Sequence, residues 1–317
     1  MDLRRFFIFG SLFVSATVFG QNQERDSSYI QSFPEKITAR LGLINTSNTF
    51  FINDQENNLS YLLTPNTRDY LGVSLLYRSI EIDIGFLPSF LKNNKDNGNS
   101  KLFNLNMRMF LGQFMQTIDI YSQEGFFAEL NGSNLAFPGV RTFKIGGATS
   151  YIFNPNFSFR AVGFQNEWQR KSAGSFIPRL IYYYTTYDLE QNDFSSNASS
   201  FDIALSPSYL YNFVVQEHFI IGLGVSAGMG LNRDDQEEQV INSVLYEFGG
   251  RISLGYNSET LFAGINSSLT VLEHNSRRVV RVDDTINFFE FYIGYRFNAP
   301  KSLNKFADEV NETLGLK

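Results

Sequence analysis

Two histidines, His218 and His274, are what the chain offers for proton transfer near neutral pH. His218 follows Gln216-Glu217 in a turn-like stretch, and His274 stands where an apolar-periodic run gives way to Asn275 to Arg278. Ser267, Ser268 and Ser276 lie near His274 in sequence, yet a triad is a matter of geometry, and the reading finds no nucleophile motif. Carboxylates gather at Asp234-Asp235-Gln236-Glu237-Glu238 and at Asp283-Asp284 without the glycine-punctuated spacing of a calcium loop, so they read as solvated loops. The glycines from Gly222 to Gly230 keep a period of two and open no helix, which does not suit a phosphate cradle. The expectation is no catalytic residue, no cofactor and no metal site.

Charge is placed with more regularity than these groups. From Phe219 to Leu231 every odd position is apolar, while the even positions after Ile220 hold only Gly222, Gly224, Ser226, Gly228 and Gly230. Elsewhere the same alternation carries charges on its second face. Leu41 and Leu43 oppose Arg40; Ile80, Ile82 and Ile84 oppose Glu81 and Asp83; Met107 and Met109 oppose Arg108; Ile252 and Leu254 oppose Arg251; Phe289 and Phe291 oppose Glu290. A strand with one oily face and one polar or empty face suits a membrane barrel, whose wall meets lipid outside and a crowded lumen inside. A charged side chain on the lipid face would cost about 2–4 kcal/mol near the midplane. The reading therefore turns Arg40, Arg78, Glu81, Asp83, Arg108, Asp119, Arg160, Asp202, Glu247, Arg251, Glu290 and Arg296 toward the lumen, with Lys36 and Lys144 beside them.

The elements that would position these groups are all strands. Tight turns are expected at Arg78-Ser79, Gly112, Asn154-Pro155-Asn156, Gln216 to His218 and Asn257 to Glu259; longer polar loops are expected at Asn53 to Asn58, Lys92 to Ser100, Gln191 to Ser200 and Arg233 to Gln239. Short periplasmic turns alternating with long outer loops follow the barrel convention. The fold class is thus all-β, a transmembrane antiparallel β-barrel of about twelve strands, with ten or fourteen also compatible. This count treats Phe157 to Trp168 as one crossing and takes residues 170 to 187 as an extension or interruption of a neighbour; Leu180 to Tyr184 fits least well, because as a separate crossing it makes the total odd. After Phe297 the period of two stops at Pro300, and Leu303, Phe306, Val310 and Leu314 fall at helical spacing.

Composition supports the same class: 33 Phe and 16 Tyr against one Trp suit aromatic girdles, and no segment after the first twenty residues is apolar enough for a spanning helix. Arg4 and Arg5 before the apolar run Phe6 to Val18 read as a signal peptide over residues 1–20. The further division is a periplasmic segment over 21–35, the barrel over 36–297 and a periplasmic, helical tail over 298–317. The absence of cysteine excludes disulfides, thiolate metal sites and a lipoprotein anchor, and a net charge of −6 argues against nucleic acid. Location in the cell outer membrane follows. Its expected partners are outer-membrane lipid, the barrel-assembly machinery during biogenesis and a small solute.

Four phrases, in order, carry a resemblance: Tyr61 to Asn66 leading into Leu71-Gly72-Val73; Ser100-Lys101 ahead of Phe103; Ile118 to Tyr121 running to Gly125-Phe126; and Gln169 to Phe176. Together they resemble an uncharacterised family of Bacteroidota outer-membrane proteins, of the domain of unknown function 4421 type. The resemblance implies location and barrel fold, and brings no activity or ligand; the C-terminal tail is not matched to it. Three functional expectations stand: a passive channel or transporter of small solutes or lipids with a mixed-charge lumen; a structural or partner-docking barrel without conductance; and a lipid-active enzyme using His274 or His218. An exported soluble β-sandwich is the rival architecture.

Overall fold

A computed structural model describes residues 26–54, 59–65, 69–86, 101–130, 133–163, 166–189, 197–236, 239–275 and 280–314. The expected signal peptide and the Lys92 to Ser100 loop lie outside the described residues, as do the tips of the other expected loops. The chain forms β1 (Ile30–Ser32), β2 (Lys36–Asp54), β3 (Leu59–Pro65), β4 (Asp69–Tyr77), β5 (Ile80–Phe86), β6 (Lys101–Leu111), β7 (Phe114–Leu130) and β8 (Ser133–Tyr151). A short helix α1 (Arg160–Gly163) precedes β9 (Glu167–Gln169), β10 (Ala173–Ile177), β11 (Arg179–Leu189), β12 (Asn197–Leu205) and β13 (Ser208–Val215). The last elements are β14 (Phe219–Gln236), β15 (Gln239–Asn257), β16 (Leu261–Asn275), β17 (Val280–Asn298) and α2 (Lys301–Leu314).

Twelve of these strands follow one another around a ring, in the order β14, β12, β11, β8, β7, β6, β5, β4, β2, β17, β16, β15, and the β14–β15 pairing closes it. All the pairings are antiparallel. Above the short strands β4 to β6, β3 bridges β2 to β7. Two crossings are split by proline. Ile177 pairs with Ser208 and Leu180 with Leu205 in one unbroken register, so β10 with β11 and β12 with β13 are two continuous crossings interrupted at Pro178 and Pro207. Proline has no N–H to give to the ladder, and the interruption falls where that donor is missing.

The expected total of twelve holds, but one member of the count is corrected. Phe157 to Trp168 does not cross; it holds α1 and β9, and β9 pairs with β1 in a separate two-stranded sheet. Leu180 to Tyr184, the run hardest to place from sequence, belongs to a full crossing.

Outward faces carry the expected apolar side chains, and they are bare: Leu75 is 55%, Val225 67%, Met229 61% and Tyr295 53% exposed. Such residues recur on every strand of the ring, a continuous belt far beyond the few hundred Å² that a soluble monomer leaves uncovered. Lipid is the solvent that suits this belt, and the closed ring satisfies the backbone hydrogen bonds that lipid cannot. The molecule is an outer-membrane β-barrel, and the soluble sandwich is excluded by the ring closure. No described helix is long and apolar enough to cross a membrane.

Candidate functional site

The barrel interior collects the charges that alternation turns away from lipid. One hydrogen-bonded row runs around most of the ring through Arg40, Ser74, Asp83, Asn106, Asp119, Gly146, Tyr183, Asp202 and Asn232. Arg40 lies between three carboxylates, at 2.9 Å from Asp83, 3.6 Å from Glu290 and 3.7 Å from Glu81. Its guanidinium also donates to Ser74 Oγ and stands over the Tyr292 ring. Arg108 reaches the same acids, at 2.7 Å from Asp83 and 3.5 Å from Glu81. Farther along, Tyr183 donates to Asp119 and Asn232 donates to Asp202, each at 2.7 Å. Glu81 is only 1% exposed, so these charges need their partners.

The opposite wall is nearly bare. Inward positions of β14 are Gly222, Gly224, Ser226, Gly228 and Gly230, and β15 adds Gly249 and Gly255. Arg251 projects from this wall, paired across the strands with Gly224 and Ser268, and remains exposed inside the barrel. Its guanidinium stands 5.5 Å from the Phe159 ring. Glu247 is 1% exposed and accepts from Ser226 Oγ at 3.3 Å.

The segment from Phe157 to Gln169 fills the short-turn end of the ring. Inward side chains from well-separated strands hold it: Asn212 of β13 donates to Ser158 O, Asn257 of β15 to Glu167 O, and Tyr292 of β17 to Val162 O. From the far side, Arg160 packs 4.3 Å from the Phe110 ring of β6 and donates to the Arg78 carbonyl. A segment reached from β6, β13, β15 and β17 lies inside the ring. It fits closely, since the void between Phe157, Phe159, Val162, Leu210 and Gly222 amounts to about 10 Å³, one water at most. Apolar contacts join it to both sides, Phe159 to Leu76, Phe110 and Met115, and Phe157 to Ile152, Ala173 and Ile177. Within it, Ser158 donates to Glu167 at 2.6 Å and Arg160 pairs with Glu167 at 3.6 Å. Arg160 thus sits on an internal insert rather than on a crossing strand, which corrects its expected setting.

Two of the remaining charges serve the rim. Arg78 adopts φ 52° in the β4–β5 turn and ties α2 down through Asp308 at 2.6 Å and the Asn304 carbonyl. Arg296 is 1% exposed between the rings of Phe33 and Phe262, and donates to Asn257 Oδ1 and the Ser258 carbonyl. At the same rim Arg170 donates to Glu217 at 2.8 Å, and this bond and charge hold the Glu217 carboxyl below the usual carboxylate range. His218 is stacked between Trp168 and Tyr256, with Nδ1 2.9 Å from the Asn257 carbonyl oxygen. The side chain of His274 lies outside the described residues.

One expectation about motifs is corrected. Gly224-Val225-Ser226-Ala227-Gly228 does spell G-x-S-x-G, the nucleophile-elbow string. It lies in the middle of β14, whereas the elbow needs a strand-to-helix turn.

The insert is the element that periodicity missed. A signal was present: Val162-Gly163-Phe164 and then Gln165-Asn166-Glu167 break the period of two, and Pro178 marks the true crossing. The participation of Tyr29, Ile30 and Phe33, which join the insert through β1 and the Arg296 stack, left no comparable mark.

Several solved structures resemble the chain loosely. OmpT, an outer membrane protein of Vibrio cholerae, has 8% identity and TM-score 0.34, covering 88% of this chain and 100% of that one. An outer membrane channel of Pseudomonas putida F1 has 9% identity and TM-score 0.40, with 87% and 100% covered. The outer membrane protease OmpT of Escherichia coli has 10% identity and TM-score 0.34, with 84% and 98% covered. No curated protein matches the chain. The family described as Domain of unknown function (DUF4421) matches residues 24–297, from just before the insert's β1 partner to the end of the last crossing, and the chain belongs to that family.

Proposed function

We propose that the protein is a passive channel or small-solute transporter of the outer membrane, shut at its periplasmic end by the folded-in segment Phe157 to Gln169. The observation that carries this reading is the glycine wall. Gly224, Gly228 and Gly230 bring no side chain to the inward face of β14, and the insert at one end of the ring is held by separate hydrogen bonds from several strands. Nine of the twelve charges named from sequence serve in this reading as the lumen's mixed-charge lining, with Arg160 on the insert and Arg78 and Arg296 at the rim. In this reading the insert lies on the periplasmic side, the side of the short turns by the barrel convention. Export through residues 1–20 and insertion by the barrel-assembly machinery belong to the same proposal, as does a Bacteroidota origin. No catalytic step is part of it, and the stacking of His218 on Trp168 and Tyr256 supports a structural role for that histidine.

The test uses the lack of native cysteine. A side chain at Gly222 would start 3.2 Å from Val162 Cγ1, so the pair V162C and G222C can bridge the insert to the wall. Solute flux through liposomes should fall on oxidation and return on reduction. Absence of flux both in the native protein and in variants with the Asn212 and Asn257 attachments removed would sink the proposal.

A second reading rests on α2, which Arg78 fastens to the rim while Phe306 stays 63% exposed. In that reading the tail docks another envelope protein. Deleting residues 302–317 would then remove a co-purifying partner, and an unchanged set of partners would end it.

A further inference from the structure

We infer that α2 lies flat in the membrane leaflet at the short-turn end of the barrel, its apolar side sunk among lipid chains and its polar side tied to the rim. The helix lies there whether or not the lumen conducts, and lipid on that side leaves no room for the envelope protein of the second reading. The helical repeat sorts its residues in two. Leu303, Phe306 and Ala307 fall on one side, and Val310 and Leu314 continue that spacing in sequence; Asn304, Lys305, Asp308, Glu309 and Glu312 fall on the other. The polar side touches the barrel. Tyr77 donates to Asn304 Oδ1 at 2.6 Å, and Arg78 donates to the Asn304 carbonyl and pairs with Asp308.

The place of this attachment says what covers the apolar side. Tyr77 is an outward residue: it pairs with Ile37 and Ile80, shares a face of β4 with Val73 and Leu75, and has in Ile80 a neighbour 49% exposed. The Arg78 guanidinium bends to the same side, 5.5 Å from the Tyr77 ring. So α2 runs along the outer edge of the rim, where the lipid belt ends, and a tyrosine at that edge marks the headgroup level. On the helix, Phe306 stands opposite Asn304 and Asp308, so it points away from the wall, and it is 63% exposed. A helix beside the wall at that height has bilayer on its far side. Charge adds a detail: Lys301 and Lys305 are outnumbered by Asp308, Glu309 and Glu312, so the attachment is by apolar insertion and needs no anionic headgroup.

The lack of native cysteine allows a single environment-sensitive fluorophore at F306C or, on the polar side, at E312C, in the full chain held in nanodiscs of phosphatidylcholine and phosphatidylethanolamine. A nitroxide carried on the lipid chains should quench the F306C probe about three-fold or more better than the E312C probe, and aqueous iodide should do the reverse, at low and high salt alike. L303C, which keeps Phe306, should behave as F306C does. Retained heat-modifiable gel migration shows that each variant is folded. Iodide quenching at F306C and L303C as strong as at E312C would show a side open to water, as the docking of a protein requires, and would overturn the inference. Quenching by neither agent at those two positions would show a side covered by the barrel itself, and would overturn it equally.

Discussion

The wall built by β2, β4, β5 and β6 and the wall built by β14 and β15 obey the same alternation and use it in opposite ways. On the first wall, inward positions hold Arg40, Glu81, Asp83 and Arg108, whose ion pairs join β2, β5 and β6 across β4. On the second, β14 turns Gly222, Gly224, Gly228 and Gly230 inward, and Arg251 of β15 stands 5.5 Å from the Phe159 ring of the insert. One wall is filled by paired charge, and the other is stripped of side chains where its neighbours come close. The contrast separates two uses of an inward face: saturated ion pairs that stiffen it, and missing side chains that let neighbouring strands approach closely.

Removing the centre of the charged wall should have the largest effect. Arg40→Met leaves Glu81, Asp83 and Glu290 facing one another without their shared cation, and should cost about 3–5 kcal/mol in barrel stability. Urea unfolding in detergent micelles, read by gel migration, checks this; a variant as stable as the native protein would mean that the pairs fill space without holding the wall.

On the glycine wall the expected cost is smaller and has another origin. A Cβ at Gly230 would meet the Ile203 carbonyl oxygen at 2.1 Å and Ala204 Cα at 2.5 Å, so the backbone of β12 must shift. Gly230→Ala should destabilise by about 1–3 kcal/mol, the usual cost of overpacking. Gly250, one position from Arg251 but on the lipid face, gives the opposite sign. Nothing lies within 4 Å of a Cβ there, and Gly250→Leu should stabilise by about 1 kcal/mol through reduced unfolded-state freedom and added apolar contact. Equal effects at both glycines would dissolve the distinction between close approach and emptiness.

The smallest effect is expected at the rim, where a solvated pair calibrates the buried ones. Arg170 lowers the Glu217 carboxyl, so this attachment is at full strength above the ordinary carboxylate range and is lost as pH falls through the lowered value. Trp168, the single tryptophan, donates to the Glu217 carbonyl at 2.6 Å and reports on the site. Its fluorescence should change on acidification below that range, and Glu217→Gln should flatten the change while leaving stability near neutral pH almost untouched.

Much of this contrast was legible in the residues alone. The run from Phe219 to Leu231 already shows an empty face, and Ile80 to Ile84 against Glu81 and Asp83 already shows a charged one. The insert was not legible. Phe157, Phe159 and Ala161 imitate a strand over five residues, because a short apolar repeat is shared by a crossing and by a chain folded on itself. Pro178 and Pro207 added to the confusion by splitting two true crossings.

What the sequence determined by itself is the sidedness of each strand, since successive side chains point to opposite faces by backbone geometry and need no distant partner. The tertiary structure decided the rest: that the ring closes between β14 and β15, that Phe157 to Gln169 turns inward, and that Arg40 meets three acids while Arg251, among the described residues, meets none within an ion pair's reach. Those outcomes depend on strand stagger around a closed cylinder, which brings together positions far apart in the chain, and no local pattern encodes that stagger.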